Sequence, residues 1–397
     1  MKDYFVDLHV HIGRTSAGQR VKYASANNLT FENIAEECVF KKGIDIVGII
    51  DCASPGVIDD MQRLIEKGLA KELSDGGILY KEKLCIIPGA EIETGEKGDN
   101  GSCSGHTINF FPSLKAIKEF SNIMKKYIKN INLSSQKAHL PAKELQVIVE
   151  QSGGILVPAH AFTPHKSYYG NCVDRLTKIF GEGFERILAI ELGLSADTNM
   201  ADKISELENK TFISNSDAHS LPKIAREYNL IQMESPNYKE LIKALKREDG
   251  RRIKANYGLN PMLGKYHRTF CEKCNEKVQG KMPITKCDKC DSKDIVVGVL
   301  DRIEIIKDKK DPIHPNHRPP YVNQIPLEYI PGLGSKTIEK LIKHFGNEMN
   351  ILHYVGKDDL EAVVKREIAE NIIRAREGKL EIEAGGGGVY GSILVDR

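Results

Sequence analysis

A repeated alternation of two kinds of segment constrains the fold of the first 235 or so residues. Short runs of β-branched and other apolar residues end in polar residues and are followed by amphipathic stretches with helical spacing. The runs are IDIVGII at 44–50, LCIIPGAEI at 84–92, GGILVPAH at 153–160, RILAIELGL at 186–194 and KTFISNSDAH at 210–219. Alternating strands and helices favour a parallel sheet covered by helices, which can close into a barrel. The sequence therefore predicts an α/β fold for this part of the chain.

Acidic and histidine side chains mark the ends of these predicted strands. They are Asp51, Glu91, His160, Glu191 and Asp217. Because the carboxyl ends of parallel strands meet at one edge of a sheet or one rim of a barrel, residues far apart in sequence converge there. The pattern predicts a single site.

Histidines with same-face spacing indicate that this site binds metal. His9 and His11 are separated by one residue on a predicted strand, so both side chains lie on the same face. Asp217 and His219 repeat that spacing, and Glu91, His106 and His160 add further donors. Any one of these histidines alone could be a hydrogen-bonded core residue. Together, imidazoles and carboxylates are typical ligands of zinc and other transition metals, and we expect two or three divalent ions, with Zn, Mn and Mg as candidates.

The ordered set HxH, Glu, His, His and DxH resembles the polymerase and histidinol phosphatase (PHP) superfamily over about residues 1–235. This resemblance implies a distorted parallel (β/α) barrel that holds two or three ions and hydrolyses phosphoesters. It assigns Asp217, Glu91 and His160 to catalysis. The implied metal ligands are His9, His11, Glu91, His106, His160, Asp217 and His219, with Asp51 as a further candidate.

Two positions depart from the pattern of that superfamily. An acidic residue usually follows the HxH motif shortly, whereas this chain has Arg14 in the segment 12–16 and no acid there. A histidine usually follows the aspartate of the second motif, whereas Cys52 and Ala53 follow Asp51. Both positions commonly serve one particular ion, so the choice between two ions and three stays open.

Arg14 and His165 are candidate contacts to a phosphate or a leaving group. Each has the alternative interpretation of a residue in a surface loop.

Four cysteines between residues 266 and 300 form a separate pattern. Cys271, Cys274, Cys287 and Cys290 make two CxxC pairs, and four thiolates complete the tetrahedral shell of one structural zinc ion. The other five of the nine cysteines are scattered singly, which favours a reducing compartment over a disulfide framework. Because no apolar run is long enough to span a membrane, we expect a cytoplasmic protein with no membrane partner.

A mostly helical region is predicted for residues 326–397, after a Pro-rich linker at 301–325. The turn PGLGS at 331–335 resembles a helix-hairpin-helix DNA-binding element, in which backbone amides at a helix start face a DNA phosphate. The DNA-binding candidates are Gly332, Gly334, Ser335 and Lys336. Further along, Asp358 and Gly378 are predicted to begin and end one helix, and a Gly-rich tail follows it.

Charge is unevenly distributed, although 57 Lys and Arg nearly balance 55 Asp and Glu. Between residues 239 and 281, which include the predicted connecting segment 236–265, basic residues outnumber acidic ones by more than two to one. This excess is typical of a polyanionic partner or of an ordinary solvated surface.

The three-part order of barrel, zinc module and hairpin resembles the endonuclease Q family of DNA repair nucleases. Phrases such as VPAHAFTP, AIELGLSADT and SNSDAHSLPKIAREYN carry this resemblance. It implies cleavage of the phosphodiester on the 5′ side of a deaminated base (uracil, hypoxanthine or xanthine) or of an abasic site. Damaged DNA would be the partner, with replication or repair proteins as further candidates. The alternatives are a small-molecule phosphoesterase of the histidinol phosphatase type and a non-catalytic DNA-binding scaffold.

Overall fold

The structure is a computed structural model that describes residues 1–280 and 282–394. The predicted zinc module includes Lys281, and the predicted tail ends at Arg397. Those parts of the two predictions lie outside the described residues.

Most of the strands belong to one large sheet. The strands are β1 (Lys2–Val10), β2 (Ile46–Ile49), β3 (Ala70–Glu72), β4 (Ile78–Tyr80), β5 (Leu84–Gly98), β6 (Gly101–Phe110), β7 (Lys137–Ala138), β8 (Ile155–Pro158), β9 (Ala189–Glu191), β10 (Thr211–Ile213), β11 (Tyr228–Met233), β12 (Arg252–Leu259), β13 (Phe270–Cys271), β14 (Glu276–Lys277), β15 (Ile295–Val296), β16 (Tyr321–Gln324), β17 (Ile382–Glu383) and β18 (Ser392–Ile393).

Helices cover this sheet and form the C-terminal region. The α-helices are α1 (Phe31–Glu37), α2 (Pro55–Glu66), α3 (Leu114–Met124), α4 (Ala142–Gln151), α5 (Thr177–Phe180), α6 (Thr198–Ala201), α7 (Tyr238–Lys246), α8 (Val299–Ile306), α9 (Ser335–Phe345), α10 (Glu348–His353), α11 (Lys357–Val363) and α12 (Arg366–Arg376). Short 3₁₀ turns lie at Gly181–Arg186, Ser205–Leu207, Leu221–Lys223, Pro261–Leu263 and Leu327–Tyr329, and π turns at Cys38–Lys42 and Tyr168–Cys172.

A distorted barrel is formed by β1, β2, β5, β6, β8, β9 and β10. β1, β2 and β5 are paired in parallel, β6 is antiparallel to both β5 and β8, and β9 is parallel to β10. The ring closes where the Ala161 amide donates to the Glu191 carbonyl (2.9 Å) and the Ala218 amide donates to the His9 carbonyl (3.2 Å). The predicted parallel sheet is thus mixed. β6 runs backwards because only two residues separate it from β5, and so short a turn allows only antiparallel pairing.

Two segments expected as connections between domains are part of the main sheet. Residues 236–265 hold α7 and β12, and β12 is antiparallel to β11. Residues 301–325 hold most of α8 together with β16, which is parallel to β12. The sheet therefore continues beyond β1 through β11, β12 and β16. β16 is the last of these strands in the sequence, and the helical region follows it.

The C-terminal helices pack against the barrel. The His353 ring lies 4.8 Å from the Phe5 ring, and its Nε2 forms a 2.7 Å hydrogen bond with the Tyr228 hydroxyl. Lys42 and Glu348 form a largely buried ion pair at 2.9 Å. These contacts fix the helical region on the outer side of β1 and β11.

The predicted helix end at Gly378 agrees with the structure, since this residue has positive φ just beyond α12, as Gly153 does just beyond α4. The helix predicted to begin at Asp358 differs, because α11 is capped by Gly356 and Asp358 lies in its first turn. That segment also forms two helices, since the chain is extended at Val364 and Lys365. No helix among the described residues is long and apolar enough to cross a membrane.

A disulfide joins Cys103 on β6 to Cys172 in the π turn that follows β8. Both cysteines were expected to be free, because nothing in their spacing pairs residues 69 positions apart. The bond ties the loop after β8 to the β5–β6 hairpin.

We expect Cys103→Ser to lower the free energy of unfolding by up to about 4 kcal/mol, because the bond closes a 69-residue loop in the unfolded chain. Urea unfolding with and without the phosphine reductant TCEP measures this. The reductant should lower the midpoint of the wild-type protein and leave that of Cys103→Ser unchanged. Equal wild-type midpoints under both conditions would contradict the prediction.

Candidate active site

His9 and His11 lie buried near the end of β1, and their rings are oriented by carboxylates. His9 Nδ1 donates to Glu191 at 2.9 Å, and His11 Nδ1 donates to Asp51 at 3.0 Å. A carboxylate on Nδ1 fixes the tautomer and leaves Nε2 as a free ligand atom. Both Nε2 atoms therefore face the interior of the site.

The β1 set consists of His9, His11 and Asp217. The two Nε2 atoms are 3.3 Å apart, and each lies 3.5 Å from Asp217 Oδ1. Donors bound at about 2.1 Å in a tetrahedral shell lie about 3.4 Å from one another. The spacing of the β1 set suits one metal ion.

The Glu91 set consists of Glu91, His106 and His160. Glu91 Oε1 lies 2.8 Å from His106 Nδ1 and 3.4 Å from His160 Nε2. The two carboxylate oxygens of Glu91 also lie 3.7 Å from the Nε2 atoms of His9 and His11. Glu91 is therefore placed between the two sets, where its carboxylate can bridge two ions.

A divalent metal fits this donor set. The side chains are imidazoles and carboxylates, which are the protein ligands that transition metals take. His106 Nε2 lies 3.7 Å from Glu93 Oε2, so Nδ1, which lies beside Glu91, is the ring nitrogen on the side of the candidate metal site.

His219 and Asp51 lie beside these two sets and not within them. His219 Nε2 is 3.3 Å from Asp217 Oδ1, its ring stacks on that of His11, and its Nδ1 is 3.0 Å from the Ser25 hydroxyl. Asp51 accepts hydrogen bonds from His11 Nδ1, the Ile12 amide and the Ser134 hydroxyl. The candidate ligand Asp51 is thus a support for His11, because its oxygens are directed away from the metal-facing nitrogens.

The carboxylates of the site are held in their ionised form. Burial alone would raise the pKa of Glu91, but the neighbouring His106 and Lys22 hold it well below its usual range. The pKa of Asp217 is likewise held well below its usual range, against burial, by His11 and His9. Burial and the nearby His11 lower the pKa of His219 to about 3. The site therefore offers anionic oxygens beside a neutral imidazole.

Asp217 has an unusual backbone conformation for a residue with a side chain, with φ of +45°. The Ser216 amide donates to Asp7, the Ser216 hydroxyl donates to the His9 carbonyl, and the Ala218 amide donates to the same carbonyl. A strained conformation of this kind persists only where surrounding contacts over-determine it.

Lys22 is a member of the site that the sequence did not reveal. Its ammonium donates to Glu91 Oε2 at 2.9 Å and to the Ser135 hydroxyl at 2.6 Å, and lies 2.9 Å from His11 Nε2. Lys22 belongs to an irregular segment between β1 and α1, so no strand or helix periodicity relates it to the histidines. A cation thus stands among the predicted ligands.

A cavity of about 170 Å³ opens over both sets. Beyond the donors it is lined by Thr163, His165 and Lys166 after β8 and by Lys265 and Tyr266 before the cysteine module. The rings of His165 and Tyr266 meet edge to face at 5.3 Å. His165, a candidate phosphate contact, therefore lies at the cavity. Arg14 instead bonds to Asn27 and is not among the residues that line the cavity.

The four cysteines come together as predicted. Cys271 and Cys290 have sulfurs 3.6 Å apart, as do Cys274 and Cys287, and the short strands β13, β14 and β15 hold the two CxxC turns. Thiolates bound to zinc at about 2.3 Å lie about 3.8 Å apart in a tetrahedron. The sulfur atoms suit one structural zinc ion.

The predicted DNA-binding turn is exposed. Gly332 has φ of +84°, Gly334 caps α9, and Ser335 and Lys336 form the first turn of that helix. Amides in a first turn have no partner within their helix and can face an anion. The helix expected before this turn is a single 3₁₀ turn at Leu327–Tyr329.

Comparison with known proteins gives a consistent result. A family model described as PHP-associated matches residues 197–249. Protein YqxK of Bacillus subtilis is 46% identical over 397 residues, covering 99% of this chain and 100% of the relative. Protein MJ0043 of Methanocaldococcus jannaschii is 42% identical over 224 residues, covering 51% of this chain and 28% of the relative.

Two solved structures match the whole chain. The lesion-specific endonuclease PfuEndoQ from Pyrococcus furiosus has a TM-score of 0.83 and 31% identity, with coverage of 100% of this chain and 96% of that chain. Endonuclease Q, in complex with a 27-mer duplex substrate with an abasic lesion at the active site, has a TM-score of 0.84 and 32% identity, with coverage of 100% and 97%. The predicted PHP-type α/β fold is confirmed. The chain belongs to the endonuclease Q family.

Proposed function

We propose that this chain is a metal-dependent DNA repair endonuclease. It hydrolyses the phosphodiester on the 5′ side of a deaminated base (uracil, hypoxanthine or xanthine) or of an abasic site. The observation that carries the proposal is the convergence of the β1 set and the Glu91 set in one cavity. Membership in the endonuclease Q family supports the substrate class, since one relative binds a duplex with an abasic lesion at its active site. The cytoplasm is the proposed location, because the similar proteins come from Bacillus subtilis and Methanocaldococcus jannaschii, whose cells have no nucleus.

The residues divide the work of hydrolysis. His9, His11 and Asp217 would hold one divalent ion, and Glu91, His106 and His160 a second, with Zn, Mn and Mg as candidates. Such ions supply a lowered pKa for an attacking water and positive charge for the phosphoryl oxygens. The supporting carboxylates Glu191 and Asp51 keep the imidazoles of β1 aimed at the ions.

Two metal ions in the barrel, together with the Lys22 ammonium, balance the negative charge of the carboxylates in the site better than three metal ions would. The described donors of the barrel form two sets. Lys22 already neutralises Glu91 Oε2 and lies against His11 Nε2. The positions at which the PHP superfamily carries donors for one particular ion are Arg14, Cys52 and Ala53 in this chain. We therefore assign Lys22 the part of a third positive charge, held by Glu91 Oε2 and the Ser135 hydroxyl, with the lone pair of His11 Nε2 left to the ion of the β1 set.

Damage recognition would take place in the part of the cavity that lies outside the barrel. Selection of a damaged base would require that base to leave the stack and enter the cavity beside the donors. His165 and Tyr266 offer ring faces there, and Lys166 and Lys265 offer cations for phosphates. Phe162 and Tyr168 are buried in the core, so they are not available to a nucleotide.

The two alternative functions account for less of the structure. A non-catalytic scaffold has no use for buried donors spaced as metal ligands are. A small-molecule phosphoesterase needs the donors but does not need a cavity wall that leads into a cysteine module, or an exposed hairpin with free amides.

Asp217→Ala should lower kcat for nicking at least about a thousandfold, because it removes one ligand from the β1 set. The measurement uses the holoenzyme, Mn²⁺ and labelled duplexes that carry uracil, hypoxanthine, an abasic site or no lesion, with the nick mapped on a sequencing gel. Asp59→Ala, which removes an exposed carboxylate on α2, is the control and should cut normally. Equal cutting of the undamaged duplex would defeat the lesion-specific interpretation.

Metal content tests the role of Lys22. Protein reconstituted with zinc and then Mn²⁺ should hold two Mn²⁺ and one zinc per chain by plasma mass spectrometry. Lys22→Met should keep that count while kcat falls by about tenfold to a hundredfold, because a charge that faces the reacting phosphate is lost. Lys67→Met on the exposed end of α2 is the control. A third Mn²⁺ per wild-type chain would exclude a fixed-cation role for Lys22.

We expect the cysteine module to contribute to stability and DNA binding but not to cleavage of the phosphodiester bond itself. Cys274→Ser removes one thiolate from the zinc shell, so the melting temperature and the affinity for damaged duplex should both fall. The rate of hydrolysis of bis(p-nitrophenyl) phosphate, a small substrate that does not require DNA binding, should stay within about threefold of the wild-type rate. Cys287→Ser should behave in the same way. If either variant stays folded but loses this hydrolysis completely, the division of labour is wrong.

A further inference from the structure

The Gly-rich tail is docked on the cavity wall. Within residues 381–394, the Gly385 amide donates to the Met262 carbonyl (2.7 Å), the Gly391 amide to Leu263 (2.9 Å), and the Gly388 amide to Lys265 (3.0 Å). The segment that receives these bonds continues directly into Lys265 and Tyr266, which line the catalytic cavity. The tail therefore supports the side of the cavity that the barrel does not build.

Glycines are required at two of these contacts. A Cβ atom at Gly385 would lie 2.6 Å from the Gly264 carbonyl oxygen, and one at Gly391 would lie 2.8 Å from the Met262 carbonyl oxygen. Backbone atoms cannot give way as the end of a flexible side chain can. The composition of the tail is thus explained by close backbone approach.

Tyr390 connects the tail to the turn that contains Ser216 and the candidate metal ligand Asp217. Its hydroxyl accepts a 3.0 Å hydrogen bond from Arg226 Nη1, and its ring centroid lies 5.7 Å from the Arg226 guanidinium carbon. The same guanidinium donates through Nε to the Ser216 carbonyl (2.7 Å) and through Nη2 to the Asp217 carbonyl (3.1 Å). One buried cation therefore connects the tail to the backbone of a predicted metal ligand.

Arg226 has few other partners to hold it in this position. It is only 5% exposed, and no ion pair among the described residues includes it. A buried cation must have its charge satisfied by hydrogen bonds and nearby π faces. The two carbonyls satisfy Nε and Nη2, which leaves the hydroxyl and ring of Tyr390 to satisfy Nη1. Without Tyr390, the guanidinium would be free to turn away from the carbonyls.

We propose that Tyr390 is a positioning residue that acts through Arg226 to hold Asp217 in its metal-binding conformation. The inference deepens the proposed function and rests on the metal site of that proposal. Asp217 has a positive φ, so it depends on contacts to its own backbone and to that of Ser216. The C-terminal tail thereby becomes part of the catalytic site, although it touches none of the donors.

The test measures Mn²⁺ binding and nicking separately. Zinc-loaded wild-type protein, Tyr390→Phe and Tyr390→Ala are titrated with Mn²⁺ in a calorimeter, and kcat and KM for an abasic duplex are then measured. Phe keeps the ring and loses the hydroxyl, so Mn²⁺ affinity should fall about threefold; Ala loses both, and affinity should fall about tenfold to a hundredfold. At limiting Mn²⁺, kcat should fall in the same order, and excess Mn²⁺ should restore most of it.

Two further variants sharpen the result. Tyr354→Phe removes the hydroxyl of an exposed tyrosine on the helical region and should leave Mn²⁺ affinity and kcat unchanged. Gly391→Val would place side-chain atoms against the Met262 carbonyl, so it should detach the tail and reproduce Tyr390→Ala.

Three results would overturn the inference. Unchanged Mn²⁺ affinity in Tyr390→Ala is the first. A rise in KM for the duplex with kcat and Mn²⁺ affinity unchanged is the second, because it would make Tyr390 a DNA contact. A lower melting temperature with normal Mn²⁺ affinity is the third, because the tail would then add only stability. A wild-type protein that binds Mn²⁺ but nicks no duplex would refute the proposed function, and the calorimetric comparison would still decide the role of Tyr390.

Discussion

The arrangement of the site depends on the contacts of one buried carboxylate, that of Glu91. One oxygen lies 2.8 Å from His106 and the other 2.9 Å from Lys22, and the two imidazoles of β1 stand 3.7 Å away. An anion in the interior of a protein is costly unless positive or hydrogen-bonding groups surround it. The barrel therefore gathers cationic and hydrogen-bonding partners around Glu91, among them Lys22 and His106, and metal ions bound as proposed would add positive charge beside the same carboxylate. The same carboxylate couples the two sets, because a shift of its oxygens changes the surroundings of both.

Carboxylates at neighbouring strand ends do a different job from that of Glu91. Asp51 follows β2 and fixes His11, Glu191 ends β9 and fixes His9, and Asp7 within β1 accepts the Ser216 amide. Each therefore orients a ligand or the turn that presents one, and none of them points at the metal-facing atoms. The acidic residues at this rim thus have two roles. Some face the candidate metal sites, and the others hold the candidate ligands in place.

Much of the site could be predicted because it follows from strand geometry. Period-two alternation placed His9 and His11 on one face, and strand ends brought Glu91, His160 and Asp217 to one rim. Spacing alone could not separate a ligand from its support, so Asp51 was counted among the candidate ligands. Lys22 lies in an irregular segment, where no periodicity links it to the site. The Cys103–Cys172 bond and the pairing of β12 with β16 join distant segments, and such contacts arise from tertiary packing that local patterns do not encode.

The candidate metal ligands and the opposite wall of the cavity come from different parts of the chain. All six donors of the two sets lie within the barrel, whereas the opposite cavity wall belongs to the segment that enters the cysteine module. Arg302 on α8 fastens that module to the loop after β8 by donating to the carbonyls of Tyr169 and Val173. The tail fastens the same wall from the other side. The shape of the cavity therefore depends on elements outside the barrel. Under the proposed function, the donors of the barrel would cleave the bond, and the wall outside the barrel would select the damaged nucleotide.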